Sequence, residues 1–118
     1  MKSRELALLA AKLLDGKKAK EIIIIDIEEK SGFADYLLVA TAASMRQMSS
    51  LADELQDGLA EEGVMMSHQE GRGNSGWILM DYGDIIINIF TEPQREKYQI
   101  EKVWMDCPRL DFVSSGAM

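Results

Sequence analysis

The chain is poor in the residues that cross-link small domains or bind structural metals. Its 118 residues include one cysteine, Cys107, and one histidine, His68. A single cysteine excludes an internal disulfide, and these two side chains fall short of the four ligands of a structural zinc site. We therefore predict a reducing, cytoplasmic location, and we predict neither a bound metal nor a cofactor.

Basic residues are also scarce. The chain has 13 Lys and Arg against 20 Asp and Glu, which gives a formal net charge of -7 at pH 7. This balance disfavours direct nucleic-acid binding, which needs a broad basic face. An acidic surface instead attracts basic partners, which include polyamines, basic substrates and the basic proteins of ribonucleoprotein particles.

Long apolar runs are missing, although 47% of the residues are hydrophobic. No run approaches the roughly 18 residues that a membrane-spanning helix needs, so we predict no membrane segment and no signal peptide. The length suits one domain. We predict that this domain covers residues 1–108 and that residues 109–118 form a disordered tail.

The apolar pattern predicts the order helix, strand, strand, helix, strand, strand, strand, helix. Helical spacing runs from Leu6 to Leu13 and again over 45–62, where Ser44 and Gln47 form a capping box. The predicted strands are 21–27, 35–41, 64–69, 77–82 and 85–90, of which the isoleucine-rich first is expected to be central. This order defines an α/β (α+β) domain with a mixed five-stranded sheet.

Turn-forming and helix-capping residues complete the prediction at the C-terminal end. Gly83 and Asp84 separate the last two strands and are typical of a hairpin turn. Thr91 and Gln94 repeat the capping-box spacing, so a final short helix is predicted from there toward Trp104.

Three motifs that often accompany catalysis are weak here. Residues 71–76 satisfy the pattern G-x-G-x-x-G, but they lead into a strand, whereas the dinucleotide motif needs a helix N-terminus at that point. His68 follows Ser67 without the glycines of a nucleophile elbow, and Cys107 has no partner cysteine. We assign no catalytic residue on these grounds.

One catalytic alternative stays open. Asp26 and Glu28 are two residues apart, so on a continuous strand both carboxylates would leave the same face and could hold Mg²⁺, with Asp35, Asp81 or Asp84 joining them. This arrangement would suit a Mg²⁺-dependent nucleotidyl or phosphoryl transferase. Against it, these acids lie at strand ends and turns, where Asp commonly serves backbone hydrogen bonding, and no phosphate cradle accompanies them.

The segment from Trp77 to Trp104 has an unusual distribution of apolar side chains. Alternation in the hairpin places apolar side chains on both faces of the strand that starts at Trp77, which indicates either a central strand or a partner surface. Arg95 and Tyr98 follow three residues apart on the short helix. Apolar side chains on both faces suit a buried core, whereas Trp, Tyr and Arg are enriched in interface hot spots. For this segment the sequence therefore favours core and interface equally.

The chain contains a series of short motifs in a characteristic order and spacing. In order they are Asp35-Tyr36, Ala40-Thr41 to Ser44 with Arg46-Gln47, Ala52-Asp53-Glu54, Glu70-Gly71, Trp77-x-x-x-Asp81-Tyr82-Gly83-Asp84, and Arg95-x-x-Tyr98-x-x-Glu101-x-x-Trp104. Together they resemble the Iojap-like ribosomal silencing factor family over about residues 20–106. The resemblance implies a nucleotidyltransferase-like fold without the catalytic residues.

The resemblance also implies a function that needs no chemistry. Members of that family are translation repressors that bind the fourteenth protein of the large ribosomal subunit and block joining of the small subunit when nutrients are scarce. It further implies a homodimer when the protein is free. By motif, the contact surface corresponds to Trp77, Asp81, Asp84, Arg95 and Tyr98.

The chain departs from the family pattern at three places. Asn88 stands where a histidine is common, which excludes a pH-sensing imidazole at that position. Ala42 and Ala43 replace Gly-Thr, which argues against an anion-binding turn. Ile100 and Val103 replace leucines, and we expect a core to accommodate both changes.

Overall fold

The computed structural model of the chain describes residues 2–71 and 75–112, which form three α-helices, one 3₁₀ helix and six strands. The helices are α1 (Ser3–Gly16), α2 (Met45–Glu61), α3 (Glu92–Tyr98) and the 3₁₀ helix (Ile100–Trp104). The strands are β1 (Lys20–Asp26), β2 (Tyr36–Ala42), β3 (His68–Glu70), β4 (Trp77–Asp81), β5 (Ile85–Thr91) and β6 (Arg109–Leu110). None of these helices is long and apolar enough to cross a membrane.

The six strands form one mixed sheet in the order β3-β4-β5-β2-β1-β6. Strands β2 and β5 pair in parallel, and the other neighbouring pairs are antiparallel. Every residue of β2 is buried, as expected of a strand in the middle of a covered sheet. The predicted mixed α+β architecture is therefore confirmed, but β1, which was predicted to be central, lies next to the short edge strand β6.

The sixth strand corrects the prediction of a five-stranded sheet followed by a tail. Arg109 and Leu110 pair with Ile25 and Ile24 of β1, and Leu110 packs against the main core. The outer edge of β1 would otherwise leave backbone N–H and C=O groups unpaired, which explains why the chain returns to it. The predicted tail is thus wrong at these two residues, and residues 113–118 lie outside the described residues.

The two faces of the sheet are covered unequally. Helices α1 and α2 pack on one face, and α2 buries the predicted stripe there. The buried residues of that stripe are Met48, Leu51, Ala52, Leu55 and Leu59. The opposite face carries a small core that is only partly covered by Ile100 and Trp104 of the 3₁₀ helix. The residues of this small core are Ile25, Ile27, Ala34, Leu37, Val39 and Phe90.

The start of α2 confirms the predicted cap with one difference. The Ser44 hydroxyl accepts a hydrogen bond from the Gln47 backbone N–H at 3.0 Å. The Gln47 side chain bonds to the N–H of Ala43, and it also donates to the carbonyls of Lys17 and Lys18 in the α1–β1 connection. The capping residues therefore join two parts of the chain that are far apart in sequence.

The region after β4 differs from prediction at its end. The hairpin turns at Gly83 as predicted, but the last helix is interrupted, because Gln99 adopts a left-handed conformation at φ 44°. Thr91 makes no side-chain cap bond, so the second predicted capping box is wrong. Val103 is 69% exposed, and the expectation that it belongs to the core is also wrong. Ile100 does pack against the small core.

The predicted edge strand 64–69 is shorter and lies later in the chain. Only three residues, His68 to Glu70, pair with β4, and all three are exposed. Val64 and Met66 instead pack against the main core as part of the connection from α2.

Candidate partner-binding surface

Two aromatic side chains meet at the partly covered face of the sheet. Trp77, the first residue of β4, stacks on Phe90 with ring centroids 5.0 Å apart, and its ring lies 4.9 Å from that of Tyr98 at the end of α3. Tyr98 is 47% exposed despite these contacts. The structure therefore brings together two of the predicted contact residues and leaves one of them open to solvent.

The orientation of Trp77 is fixed by a buried amide. The indole Nε1 donates to Oδ1 of Asn88 at 3.0 Å, and Asn88 is fully buried in β5. Buried polar side chains are usually hydrogen-bonded, and this bond locks the edge of the indole while Phe90 supports its face. Sequence reasoning noted Asn88 only as a departure from a family. The sequence signal that could have indicated the role of Asn88 is its position as a polar residue inside the otherwise apolar run of β5.

A groove opens beside the two rings. It has a volume of about 260 Å³, and we call it the aromatic groove. Its lining residues are Glu70, Gly71, Ser75, Trp77, Leu79 and Tyr98. Pairing of Glu70 with Leu79 across β3 and β4 places both side chains on the same face as Trp77. Glu70 and Leu79 were not predicted as site residues, because only the strand register brings them there.

The aromatic groove requires a glycine at position 71. Gly71 has φ 85°, and a Cβ built on it would lie 1.9 Å from the carbonyl oxygen of Trp77. The backbone can approach β4 this closely only without a side chain. Within the predicted glycine-rich loop, residues 72–74 lie outside the described residues, while Ser75 and Gly76 lead directly into β4 as predicted.

The charged groups around the aromatic groove have both signs. The Glu70 carboxylate lies on the exposed strand β3, 3.9 Å from Nε2 of His68. The Lys97 ammonium lies 5.4 Å from the centroid of the Tyr98 ring, within the range of a cation–π contact. An apolar floor with a carboxylate at its edge suits a ligand group that is part hydrocarbon and part cation.

The two predicted aspartates lie at the other end of the hairpin. Trp77 and Asp81 are four residues apart on β4, which corresponds to about 13 Å. Asp81 accepts a hydrogen bond from the Gly83 N–H at 2.8 Å, and the Asp84 carbonyl accepts from the N–H groups of Asp35 and Tyr36. Both residues shape the turn, and the structure does not bring them into the aromatic groove.

Arg95, which the resemblance assigned to the contact surface, is largely buried. The residue is 8% exposed, and its guanidinium is hydrogen-bonded to neighbouring groups of the protein. Nη1 donates to the carbonyl of Glu21 at 2.7 Å and to Oγ1 of Thr41 at 2.8 Å, and Nε donates to Oε2 of Glu101 at 3.2 Å. Helical spacing correctly placed Arg95 one turn from Tyr98, but it gave no information on which of the two is buried.

The carboxylates of the catalytic alternative do not form the expected pair. Strand β1 ends at Asp26, and Glu28 lies in the following turn, where its N–H donates to Oδ1 of Asp26 at 3.1 Å. The shared strand face on which the hypothesis depended is therefore absent. Within residues 2–71 and 75–112, no group of three or more His, Cys, Asp or Glu side chains is arranged to hold a metal ion.

Other charged and nucleophilic side chains lie in an ion pair, against the small core or on the surface. Lys30 forms an ion pair with Asp106, and this hydrogen bond lowers the pKa of the Asp106 carboxyl and raises the pKa of the Lys30 amine. Cys107 is free, half-buried and packed against the small core. His68 and Ser67 are both exposed.

The fold and the site define a small α+β domain whose partly covered sheet face presents an aromatic groove. Its sequence matches the family described as "Ribosomal silencing factor during starvation" over residues 1–117, and the chain belongs to that family. Members are regulatory factors of translation that act in ribosome silencing. The predicted family resemblance is confirmed.

Individual relatives agree with this assignment. The chain is similar to "Ribosomal silencing factor RsfS" of Bacillus subtilis, with 33% identity over 112 residues that cover 95% of each chain. It is also similar to "Protein Iojap, chloroplastic" of Arabidopsis thaliana, with 24% identity over 102 residues that cover 86% of this chain and 42% of that protein. A crystal structure of a Chromobacterium violaceum protein matches with a TM-score of 0.85 and 32% identity, covering 98% of this chain and 97% of the other.

Proposed function

We propose that this chain binds the large ribosomal subunit through its fourteenth protein and sterically blocks joining of the small subunit, so that ribosomes are silenced when nutrients are scarce. Family membership supports the ribosome-silencing role. The partner protein and the blocking step go beyond the ribosome-silencing role. They follow from the resemblance, and the chemistry of the aromatic groove is consistent with them.

The contact between Trp77 and the exposed Tyr98 is the observation that carries the proposal. Tyr98 retains 47% of its exposure although it contacts two other rings, and Trp77 is held by Phe90 and Asn88. Rigid aromatic side chains bind with little loss of conformational entropy and dominate interface energetics. A pre-positioned pair beside a groove is therefore suited to anchoring a protein partner.

Charge favours a basic partner. The chain carries a formal net charge of -7, and Glu70 lies in the aromatic groove itself. Asp81 and Asp84 add carboxylates at the far end of the hairpin, where they are able to contact a partner that extends beyond the groove. Complementary charge speeds the encounter of two proteins and fixes their orientation, and ribosomal proteins are commonly basic.

The proposed mechanism is steric and involves no reaction. The molecule measures about 33 × 33 × 32 Å. A body of this size, bound on the face of the large subunit that meets the small subunit, excludes every inter-subunit contact within its footprint. The function therefore requires binding alone, and we propose that the chain is not an enzyme. We further propose that it acts in the cytoplasm and is a homodimer when free.

A subunit-joining assay tests the proposal. The protein is incubated with isolated large subunits, small subunits are then added, and sedimentation separates joined from free particles. We expect the protein to sediment with large subunits and to lower the yield of joined ribosomes, and to have little effect when added after joining. Equal binding to intact ribosomes, with joining unaffected, would contradict occlusion.

Partner identity needs a separate measurement. Binding is measured against the purified fourteenth large-subunit protein and against a second large-subunit protein of similar size and charge. We expect the first to bind and the second to bind far more weakly. Similar affinity for both would show that charge alone drives association and would refute the specific partner.

A further inference from the structure

We infer that Arg95 is a positioning residue: it holds α3 so that Tyr98 is presented beside Trp77, and it does not itself contact the partner. This inference rests on the proposed function, since it explains how one wall of the proposed binding surface is set. It assigns the buried guanidinium a role that differs from the contact role predicted from sequence.

Helix α3 cannot hold its position by helix formation alone. It has seven residues, whereas isolated helices shorter than about 12 residues are marginal in water. Arg95 is the one residue of α3 that is buried, and Thr91, the N-cap residue just before the helix, supplies no side-chain cap. The attachment of α3 to the sheet therefore depends on a guanidinium and on the ring of Tyr98, rather than on an aliphatic stripe.

The guanidinium is bonded to two strands of the sheet. Thr41, whose hydroxyl accepts from Nη1, is 2% exposed in β2. Glu21, whose carbonyl accepts from the same nitrogen, lies at an irregularity of β1 where the register shifts between Lys20 and Ile23. Glu21 has φ 50°, so its peptide leaves the regular ladder and its carbonyl is free to receive the guanidinium.

Arg95 also fixes the turn that follows α3, through both its side chain and its backbone. Nε of Arg95 donates to Glu101 in the 3₁₀ helix, and the Arg95 carbonyl accepts from the N–H of Gln99, the left-handed residue between the two helices. Tyr98 lies between these two points, one helical turn after Arg95. Loss of the guanidinium would leave the backbone bond to Gln99 in place, but it would release α3 from β1, from β2 and from Glu101, so the segment that carries the Tyr98 ring would be held less firmly.

A double-mutant cycle separates positioning from contact. Tyr98→Ala, Arg95→Met and the double variant are compared for binding to isolated large subunits. We expect about thirtyfold weaker binding for Tyr98→Ala, about tenfold for Arg95→Met, and still about thirtyfold for the double variant, because Arg95 acts through Tyr98. Losses that multiply to about three hundredfold would show that Arg95 contacts the partner independently and would overturn the inference.

A change in the position of α3 can be measured without any partner. The indole N–H signal of Trp77 in a two-dimensional NMR spectrum reports on the adjacent Tyr98 ring, and a Trp104→Phe variant assigns the two indole signals. We expect the Trp77 signal to shift in Arg95→Met. We expect a smaller shift in Arg95→Lys, because an ammonium keeps the charge and can still donate a hydrogen bond, although it cannot reproduce the planar fork of donors. Arg46→Met is the matched control, since it removes the same charge from an exposed site on α2.

A milder variant keeps the test decisive if Arg95→Met does not fold. Thr41→Val removes one acceptor of the guanidinium at nearly constant shape, and we expect it to shift the Trp77 signal in the same direction. If the Trp77 indole signal does not move in any folded variant among Arg95→Met and Thr41→Val, the positioning role is refuted. If the unmodified protein fails to bind large subunits, the proposed function fails, but the NMR comparison still decides whether Arg95 positions Tyr98.

Discussion

Truncation of Tyr98 is the cleanest way to separate binding from folding. Removing a fully buried aromatic side chain costs about 3–5 kcal/mol. Because Tyr98 is 47% exposed, we expect Tyr98→Ala to lose roughly half of that, about 2 kcal/mol, and to lower Tm by roughly 8 °C in a domain of this size. The fold should survive. A hot-spot contact is worth about 2 kcal/mol or more, so binding should weaken about thirtyfold.

The assay pairs thermal denaturation with binding to isolated large subunits at a temperature well below both transitions. Met65→Ala is the control, because Met65 is 73% exposed and does not line the aromatic groove. Asp26→Ala should also bind like the parent. Trp77→Ala should lose more stability, since its ring is stacked and hydrogen-bonded. A folded Tyr98→Ala protein that binds normally, or a Met65→Ala protein that binds equally poorly, would refute the assignment.

Four further predictions concern the stability of the domain and its association with large subunits. The Tyr82 hydroxyl is buried and lacks a hydrogen-bond partner in the described part of the chain, so Tyr82→Phe should gain about 1 kcal/mol in urea unfolding. Burial also raises the pKa of Tyr82 above its ordinary value of 10.0, so the parent should lose stability as pH rises above 10, where the unfolded chain ionises first. The phenylalanine variant should lose less, and identical alkaline limbs would contradict this. Gly71→Ala should destabilise the protein by at least about 2 kcal/mol and weaken binding, because a Cβ collides with the Trp77 carbonyl, and a Tm like that of the parent would show that the loop relaxes freely. The association rate with large subunits should fall from low to physiological salt, as stopped-flow mixing would show, whereas a flat rate would mean that the acidic surface does not steer the encounter.

Local patterns were sufficient to predict much of the fold. The apolar stripe of α2, its Ser44 cap and the hairpin at Gly83 depend on residues close in sequence, and the structure confirms them. Strand β6 was missed because two residues carry no recognisable period and are ordered only by the distant β1. The break at Gln99 was missed for a related reason. A left-handed residue other than glycine has no strong local signature.

The candidate site was predictable where residue type alone was informative. Trp77 and Tyr98 were identified because aromatic side chains dominate interfaces, and the structure brings them into contact. Asn88 and Leu79 were missed because their positions, at the edge of the Trp77 indole and in the lining of the aromatic groove, depend on strand register. The burial of Arg95 depends on a carbonyl 74 residues earlier in the chain, which no local window contains.

The short outer strands of the sheet determine what kind of recognition remains available. One edge is the three-residue strand β3, whose side chains are all exposed and polar, and the other is the two-residue strand β6. Within residues 2–71 and 75–112, neither edge offers a long, flat row of free backbone groups, so an extended peptide has little there on which to add as an extra strand. Selection of a partner then depends on side-chain shape and charge at the aromatic groove. Short edges of this kind also disfavour edge-to-edge β-aggregation at high concentration.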